Sequence, residues 1–336
     1  MEGSSREIRL VARPQGFPGE DLFEVAETPI PDPADGQVLI RNAFFSVDPY
    51  MRPRMNDVRS YVAPFTLGEA MTGGAVGRVA VSRNARYAEG DWVLHQLGWR
   101  EWALSDGATL RRVDPGTAPV STSLGVLGMP GFTAWYGLFV LGRPQEGETV
   151  FVSGAAGAVG SAAGQMAKVA GCRVIGSAGS EEKLEWLREL GFDAVFNYRE
   201  QSARAALGEL APDGIDVYFD NVGGDHLEAA IGALRAHGRV VACGSISRYN
   251  DAEPSPGPRN MFMVVTKRLR IEGFIISDHY DRVGEFAREA SGWVEDGRLR
   301  YRETVVDGIE NAPQAFLGLL RGENIGKMLV KVGPSE

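Results

Sequence analysis

The chain has 336 residues, 44% of them hydrophobic, which is enough for two domains with separate cores. Its 35 basic and 44 acidic residues leave a net charge of −9, and no basic cluster interleaves with aromatics, which argues against nucleic acid and anionic membranes as partners. No apolar run is long enough to span a bilayer and the first fifteen residues lack the apolar core of a signal peptide, so a cytoplasmic location is expected.

In chain order, residues 7–12, 22–28 and 37–47 read as strands, divided by glycine and proline clusters at 14–19 and 29–36. Further extended stretches follow at 74–82, 91–97, 99–105 and 109–113, and no convincing helical period appears before residue 121. The first third therefore predicts a β domain of barrel or sandwich type. Inside it, VDPYMRPRM (residues 47–55) packs one tyrosine, two arginines, two methionines and two prolines into nine residues without alternation. Functional loops have this composition, although Tyr50 could equally plug the mouth of a barrel. A second glycine-rich loop, LGEAMTGG (67–74), carries Glu69, which reads as a solvated charge.

From residue 121 the pattern changes. A helix is predicted at 121–127, broken by Met129-Pro130-Gly131 and resumed as an apolar helix at 132–141. Strands at 149–153, 173–177, 194–197, 216–220, 239–243 and 270–276 then alternate with helices at 157–170, 181–190, 201–210, 225–236 and 261–267, with stops at Gly191 and Gly238. Such alternation predicts a doubly wound, six-stranded parallel sheet. A helix at 281–294, extended sequence at 301–306 and 327–332, and a helix at 309–320 complete the chain. The expected organisation is a β domain over 1–125, an α/β domain over 126–297 and a C-terminal segment, 298–336, that rejoins the first domain.

The first α/β unit is TVFVSGAAGAVGSAAGQMAKVAG (149–171), a strand, a glycine turn and a helix. A helix that starts this way aims unpaired N–H groups and the positive end of its dipole at the turn, where a pyrophosphate can dock. The spacing G-x-x-G-x-x-G is weak evidence alone; the flanking strand and helix make it a dinucleotide site. A sheet that selects NAD carries an acid about twenty residues after the turn, to bind the ribose hydroxyls. Here the position reads Ser177-Ala178-Gly179-Ser180, with Ser180 suited to cap the next helix and Lys183 one turn inside it, which favours NADP. Two distant cysteines, Cys172 and Cys243, predict no disulfide, and four histidines without C-x-x-C or H-x-x-x-H spacing predict no metal site.

Several segments together, VDPYMR, LGEAMTGGAVGRV, MPGFTAWYGL, SGAAGAVGSAAGQMAK, EKLEWLRELGFDAVFNYR, FDNVGG, CGSIS and GENIGKMLVKV, resemble the zinc-independent medium-chain dehydrogenase/reductases. The branch they most resemble is that of the prostaglandin reductases, leukotriene dehydrogenases and alkenal double-bond reductases, and the similarity runs from about Arg9 to Val332. The resemblance implies a GroES-like β-barrel catalytic domain beside a Rossmann NADP-binding domain, and a homodimer. It places the pyrophosphate on Ala155, Ala156, Gly157, Ala158, Val159 and Gly160, and the 2′-phosphate on Lys183 and Tyr198. Asn221, the segment Cys243, Gly244, Ser245, Ile246, Ser247 and Tyr249, the run Phe274, Ile275 and Ile276, and Asn324 fall on positions that line the cofactor.

The implied activity is NADPH-dependent reduction of the carbon–carbon double bond of α,β-unsaturated ketones and aldehydes: hydride goes to the β-carbon, and hydrogen bonds stabilise the enolate. Tyr50 and Tyr249 are the candidate catalytic side chains. Many relatives have a tyrosine eight residues before the phenylalanine of the GF segment, whereas Thr266 stands eight before Phe274 here. The proline-rich loop 247–260 is expected to cover the substrate. Two alternatives stay open on the same features: a quinone reductase, and a non-catalytic NADPH-binding protein.

Overall fold

In the computed structural model, which describes residues 3–253 and 255–335, the chain forms strands β1 (Ser4–Leu10), β2 (Phe23–Pro29), β3 (Val38–Ser46), β4 (Ala75–Ser82), β5 (Trp92–His95), β6 (Trp102–Ser105), β7 (Arg111–Arg112), β8 (Thr149–Val152), β9 (Arg173–Ala178), β10 (Ala194–Asn197), β11 (Ile215–Asp220), β12 (Leu234–Ala242), β13 (Arg270–Gly273), β14 (Glu303–Asp307) and β15 (Lys327–Lys331). Its α-helices are α1 (Met51–Arg54), α2 (Met129–Trp135), α3 (Ala158–Val169), α4 (Glu181–Glu189), α5 (Ala203–Leu210), α6 (Gly224–Ala233), α7 (Phe262–Thr266), α8 (Val283–Glu295) and α9 (Ala312–Arg321). Two units result: Met1–Gly125 with Glu303–Asn324 and Met328–Glu336, and Val126–Arg302 with Ile325–Lys327.

The first unit is built on a sheet of order β14-β15-β3-β4-β5-β7, with β6 also paired to β3, and on a separate antiparallel ribbon of β1 and β2. Strand β3 is buried along nearly its whole length, as befits a strand with partners on both sides. Beneath it lies an aromatic cluster in which Trp99 stacks on Phe45 at 5.5 Å and meets the edge of Phe316 from α9 at 6.1 Å. The C-terminal segment thus supplies β14, most of β15 and α9 to the first unit.

In the second unit a parallel sheet runs β10-β9-β8-β11-β12-β13. All four residues of β8 are buried, because helices cover both faces of a parallel sheet and leave no solvated side. The chain moves outward from β8 to β9 and β10, then returns to β11 on the other side of β8. This reversal makes the C-terminal ends of β8 and β11 the switch point of a Rossmann-type sheet, where ligands bind.

Four local expectations are corrected. Pro130 does not break a helix but stands in the first turn of α2, where it has no intrahelical donor to lose, and α2 continues as a wider π-type turn at Tyr136–Gly142. The helix expected at 121–127 is a short 3₁₀ turn, Val120–Leu124. Helix α6 ends at Ala233, and Gly238 lies within β12 after a bulge in which His237 takes φ +66° and the register slips between Ile215 and Val217. Strand β13 stops at Gly273, so Phe274 and Ile275 lie beyond it and Ile276 opens a 3₁₀ segment. Among the described residues no helix is long and apolar enough to cross a membrane.

Candidate functional site

Because the six strands are parallel, every segment that follows a strand of the second unit emerges at the same edge of the sheet. Residues 155–160 follow β8, Ser180 and Lys183 follow β9, Tyr198 follows β10, Asn221 follows β11, residues 243–249 follow β12 and 274–276 follow β13. The fold thereby gathers these sequence-predicted positions along one edge.

The glycine turn is held from both sides. Ala155 N–H donates to Ser177 O of β9 at 3.0 Å, and Gly326 N–H donates to Ala156 O at 2.8 Å. Asn324, itself buried, stands two residues before Gly326. Helix α3 closes its first hydrogen bond from Ser161 N–H to Gly157 O at 2.9 Å, so Ala158, Val159 and Gly160 present N–H groups with no intrahelical acceptor. The Ala155 N–H is thus taken up by the sheet and is not among the donors open above the turn. A Cβ at Gly160 would press into Gly154 O and come within 2.8 Å of Ala155 Cα, whereas at Gly157 it would meet only Gly154 O, at 3.4 Å. Gly160 therefore serves close packing and Gly157 leaves space above the turn. Three aimed donors at a helix N-terminus, with that space beside them, fit the pyrophosphate of a dinucleotide.

At the end of β9, Ser180 occupies the N-cap of α4 in extended conformation, but its side chain makes no capping hydrogen bond. Burial, followed by the charge of Arg199, pulls the Lys183 ammonium below its usual range, opposed by Glu182. Arg199 thus joins the cluster, although its sequence signal was only its place beside Tyr198. A Cβ on Gly179 would lie 2.7 Å from the Tyr198 hydroxyl and 3.2 Å from Arg199 Nε, so both side chains lean over that glycine. Two cations and a phenol around a turn without a carboxylate of its own fit a phosphate ester.

Asp220, 2% exposed, organises the next segments. Its Oδ1 accepts from Tyr218 Oη at 2.7 Å, Val222 N at 2.9 Å and Gly223 N at 2.7 Å. Burial raises its pKa against the pull of those donors. Asn221 is fixed to the end of β8 through Nδ2 to Ser153 O at 2.8 Å and N–H to Ser153 Oγ at 3.1 Å. The segment 243–249 is stitched alongside: Cys243 and Gly244 N–H donate to Asp220 O, Ile246 N–H to Asn221 O, and Ser247 N–H to Val222 O. The Cys243 thiol is pushed up to about 12 by burial and by Asp220, which keeps it protonated at neutral pH. Asp220 was legible only as the acid of FDNVGG.

Tyr249 is half-buried, and its hydroxyl accepts from Ser245 N–H at 3.3 Å; burial raises its pKa. Thr266 is exposed at the end of α7, where its hydroxyl donates to Met263 O at 3.4 Å. Loop 247–260 is fastened to α6, with Arg259 paired to Glu228 and Asn260 Nδ2 donating to Glu228 O at 2.8 Å; Pro254 of that loop lies outside the described residues. Phe274 packs against Tyr136 at 5.6 Å.

In the first unit Tyr50 stands at the N-cap of α1 and is half-buried. His95, buried in β5, accepts Leu97 N–H on Nδ1 at 3.0 Å, and burial lowers its pKa to about 3. Among the described residues no three His, Cys, Asp or Glu side chains gather where a metal ion could be held, and both cysteines are free thiols.

Family models match the chain twice, as the N-terminal domain of oxidoreductase over residues 6–113 and as zinc-binding dehydrogenase over residues 158–291. The chain is 46% identical to a putative NADP-dependent oxidoreductase, YfmJ, of Bacillus subtilis (strain 168), covering 99% of each chain. It is 44% identical to the NADPH-dependent curcumin reductase of Escherichia coli (strain K12), covering 96% of this chain and 95% of that one. A 2-alkenal reductase (NADP(+)-dependent) of Nicotiana tabacum is 41% identical over 98% of each. The crystal structure of CurA from Vibrio vulnificus in complex with NADPH superposes with a TM-score of 0.94 at 43% identity, covering 98% of this chain and 99% of that one.

Proposed function

The chain belongs to the zinc-independent medium-chain dehydrogenase/reductases, in the branch of the curcumin, prostaglandin and 2-alkenal reductases, and from that premise we propose that it is an NADPH-dependent reductase of the carbon–carbon double bond of α,β-unsaturated ketones and aldehydes. The observation that carries the reading is the row of donors along one edge of the parallel sheet. The N–H groups of Ala158, Val159 and Gly160 would hold the pyrophosphate, with Lys183, Arg199, Tyr198 and Ser180 around the 2′-phosphate. Asn221, residues 243–249, Phe274, Ile275, Ile276 and Asn324 would line the remainder of the cofactor.

NADPH, when bound, supplies the hydride that reaches the substrate β-carbon. Negative charge then moves to the carbonyl oxygen, and the chain must hold hydrogen-bond donors there while the α-carbon gains a proton. Tyr50 and Tyr249 are proposed for that donation. Tyr249 already accepts from Ser245 N–H, so its own proton is what it can offer a substrate oxygen.

A steady-state survey with NADPH and NADH against enals, enones, quinones and simple ketones tests the reading. Saturated ketone or aldehyde products and an NADPH preference are expected. Quinone turnover with inert enones would transfer the assignment to quinone reduction, and tight NADPH binding with every acceptor inert would leave a binding protein. The proposed assembly is a homodimer, supported by the exposure of Phe262 and Val265, 69% and 78%, on α7 near the outer strand β13. Light scattering of the purified chain measures it directly. A cytoplasmic location accompanies this reading.

A further inference from the structure

The sequence FDNVGGDH carries a histidine into the first turn of α6. His226 is 8% exposed, and its ring lies nearly parallel to that of Phe151 of β8 at 6.4 Å, in a stack that continues to Tyr218 of β11 at 4.9 Å. Burial lowers its pKa to about 4, against the pull of Asp225, so the ring is uncharged at neutral pH. Its Nε2 is buried without a hydrogen-bond partner among the described residues. A neutral ring whose buried nitrogen bonds to nothing contributes chiefly its flat shape to whatever packs on it.

What packs on it is Tyr198, whose ring meets the His226 ring in an edge-to-face contact at 5.4 Å and 78°. Tyr198 follows β10 and is 39% exposed, and its hydroxyl makes no hydrogen bond to any described residue. The end of the phenol lies over Gly179, where a Cβ would stand 2.7 Å from Oη and 3.0 Å from Cζ. The main chain of Tyr198 is fixed by its N–H donating to Ala178 O at 3.1 Å, but that bond leaves the side-chain torsions free. Without the His226 ring, the phenol could swing into the space left behind and withdraw its hydroxyl from the turn.

We propose that His226 is a positioning residue for cofactor choice, its ring holding the Tyr198 phenol over the Gly179 turn so that the hydroxyl meets the 2′-phosphate of NADPH. The inference rests on the reading of Tyr198 as a contact of that phosphate and adds to it the group that keeps an otherwise unbonded phenol in place. It also gives a role to a buried histidine that neither the pyrophosphate turn nor the substrate side requires.

The test is a double-mutant cycle on the full chain: His226→Ala, Tyr198→Ala, the double variant, and His226→Phe. The readouts are the dissociation constants of NADPH and NADH, by fluorescence titration, and the thermal unfolding midpoint. His226→Ala is expected to weaken NADPH about fivefold and NADH less than about twofold, and to cost NADPH less than about twofold when Tyr198 is already Ala. His226→Phe, which keeps a flat ring, should stay within about twofold of the parent for both cofactors. If the Ala variant does not fold, His226→Leu, which fills the space without a flat ring, takes its place in the cycle. Equal loss of NADPH and NADH, no loss of either, or the same NADPH loss in both Tyr198 backgrounds would overturn the positioning role while leaving Tyr198 at the phosphate. An unchanged NADPH to NADH ratio in Tyr198→Ala alone would remove Tyr198 from the phosphate, and the inference with it.

Discussion

In the α/β unit the groups that would meet a cofactor combine the main-chain N–H donors at the start of α3 with side chains such as Lys183, Tyr198 and Arg199, all delivered to one edge by parallel strands. In the β unit the candidate is a side chain, Tyr50, at the start of a single helical turn between β3 and β4. Backbone donors come from the helix itself and are hard to lose by substitution, except where a new Cβ blocks them. Side-chain donors depend on a particular set of neighbours and can be removed atom by atom. A phosphate carried by every NADPH molecule suits the first kind of site, whereas a substrate carbonyl whose attached groups vary suits the second.

The two units should also differ in acid, and this is the largest effect expected. His95 in the β unit is held neutral with its pKa lowered to about 3, chiefly by burial and then by Arg100, while His226 in the α/β unit is lowered to about 4, also by burial. Below an unfolded pKa of about 6.5 the unfolded chain binds the proton and the folded one does not, so stability is greatest above that pH and falls as pH drops toward those lowered values. At about 1.4 kcal/mol per unit, the loss linked to His95 is on the order of 5 kcal/mol and that linked to His226 somewhat smaller. Urea unfolding from pH 7.5 to 3 measures the slope; above about pH 4.5 the two histidines contribute almost equally, and only below about pH 4 does His95 alone continue to, so replacing His95 by Asn should flatten the lowest part of the curve more than replacing His226, and the reverse order would break the distinction between the units.

Two glycines sharpen the backbone side of the comparison. Gly160→Ala places its Cβ against Gly154 O and Ala155 Cα and should cost about 1–3 kcal/mol of stability together with cofactor binding. Gly157→Ala, with only an ordinary contact at 3.4 Å and a φ of −79°, should melt like the parent yet bind NADPH more weakly. Calorimetry with cofactor titration separates the two, and identical melting losses would mean that both glycines serve packing alone.

The third effect is on cofactor choice. Lys183→Ala should remove charge-assisted contacts of about 1.5–3 kcal/mol, weakening NADPH about ten- to a hundredfold while sparing NADH. Arg199→Ala should act in the same direction and less strongly. Inhibition by 2′-AMP against 5′-AMP reads the phosphate directly; equal loss toward both nucleotides would detach either residue from it.

How much of this was legible depends on the range of the interactions involved. The strand, glycine turn and helix at 149–171, the alternation of six strands with helices, and the missing acid after β9 are local patterns, fixed by hydrophobic period and by the needs of a helix N-terminus. From them follow the α/β sheet, the dinucleotide and the preference for NADP. Boundaries slipped where local rules compete: Pro130 opens a helix instead of ending one, and Gly238 relaxes a bulged strand instead of capping α6.

Which side chains turn toward which partners was decided only by the tertiary structure. That Ala155 spends its N–H on β9, that Arg199 shares a turn with Lys183, that Tyr249 accepts from Ser245, and that Arg54 is anchored by Thr72 while its neighbour Arg52 faces inward all depend on contacts with no periodic signature. Backbone hydrogen bonding repeats every few residues and so leaves its mark on the sequence. The pairing of one side-chain donor with one acceptor happens once, and its partner is chosen by the fold that brings distant loops together.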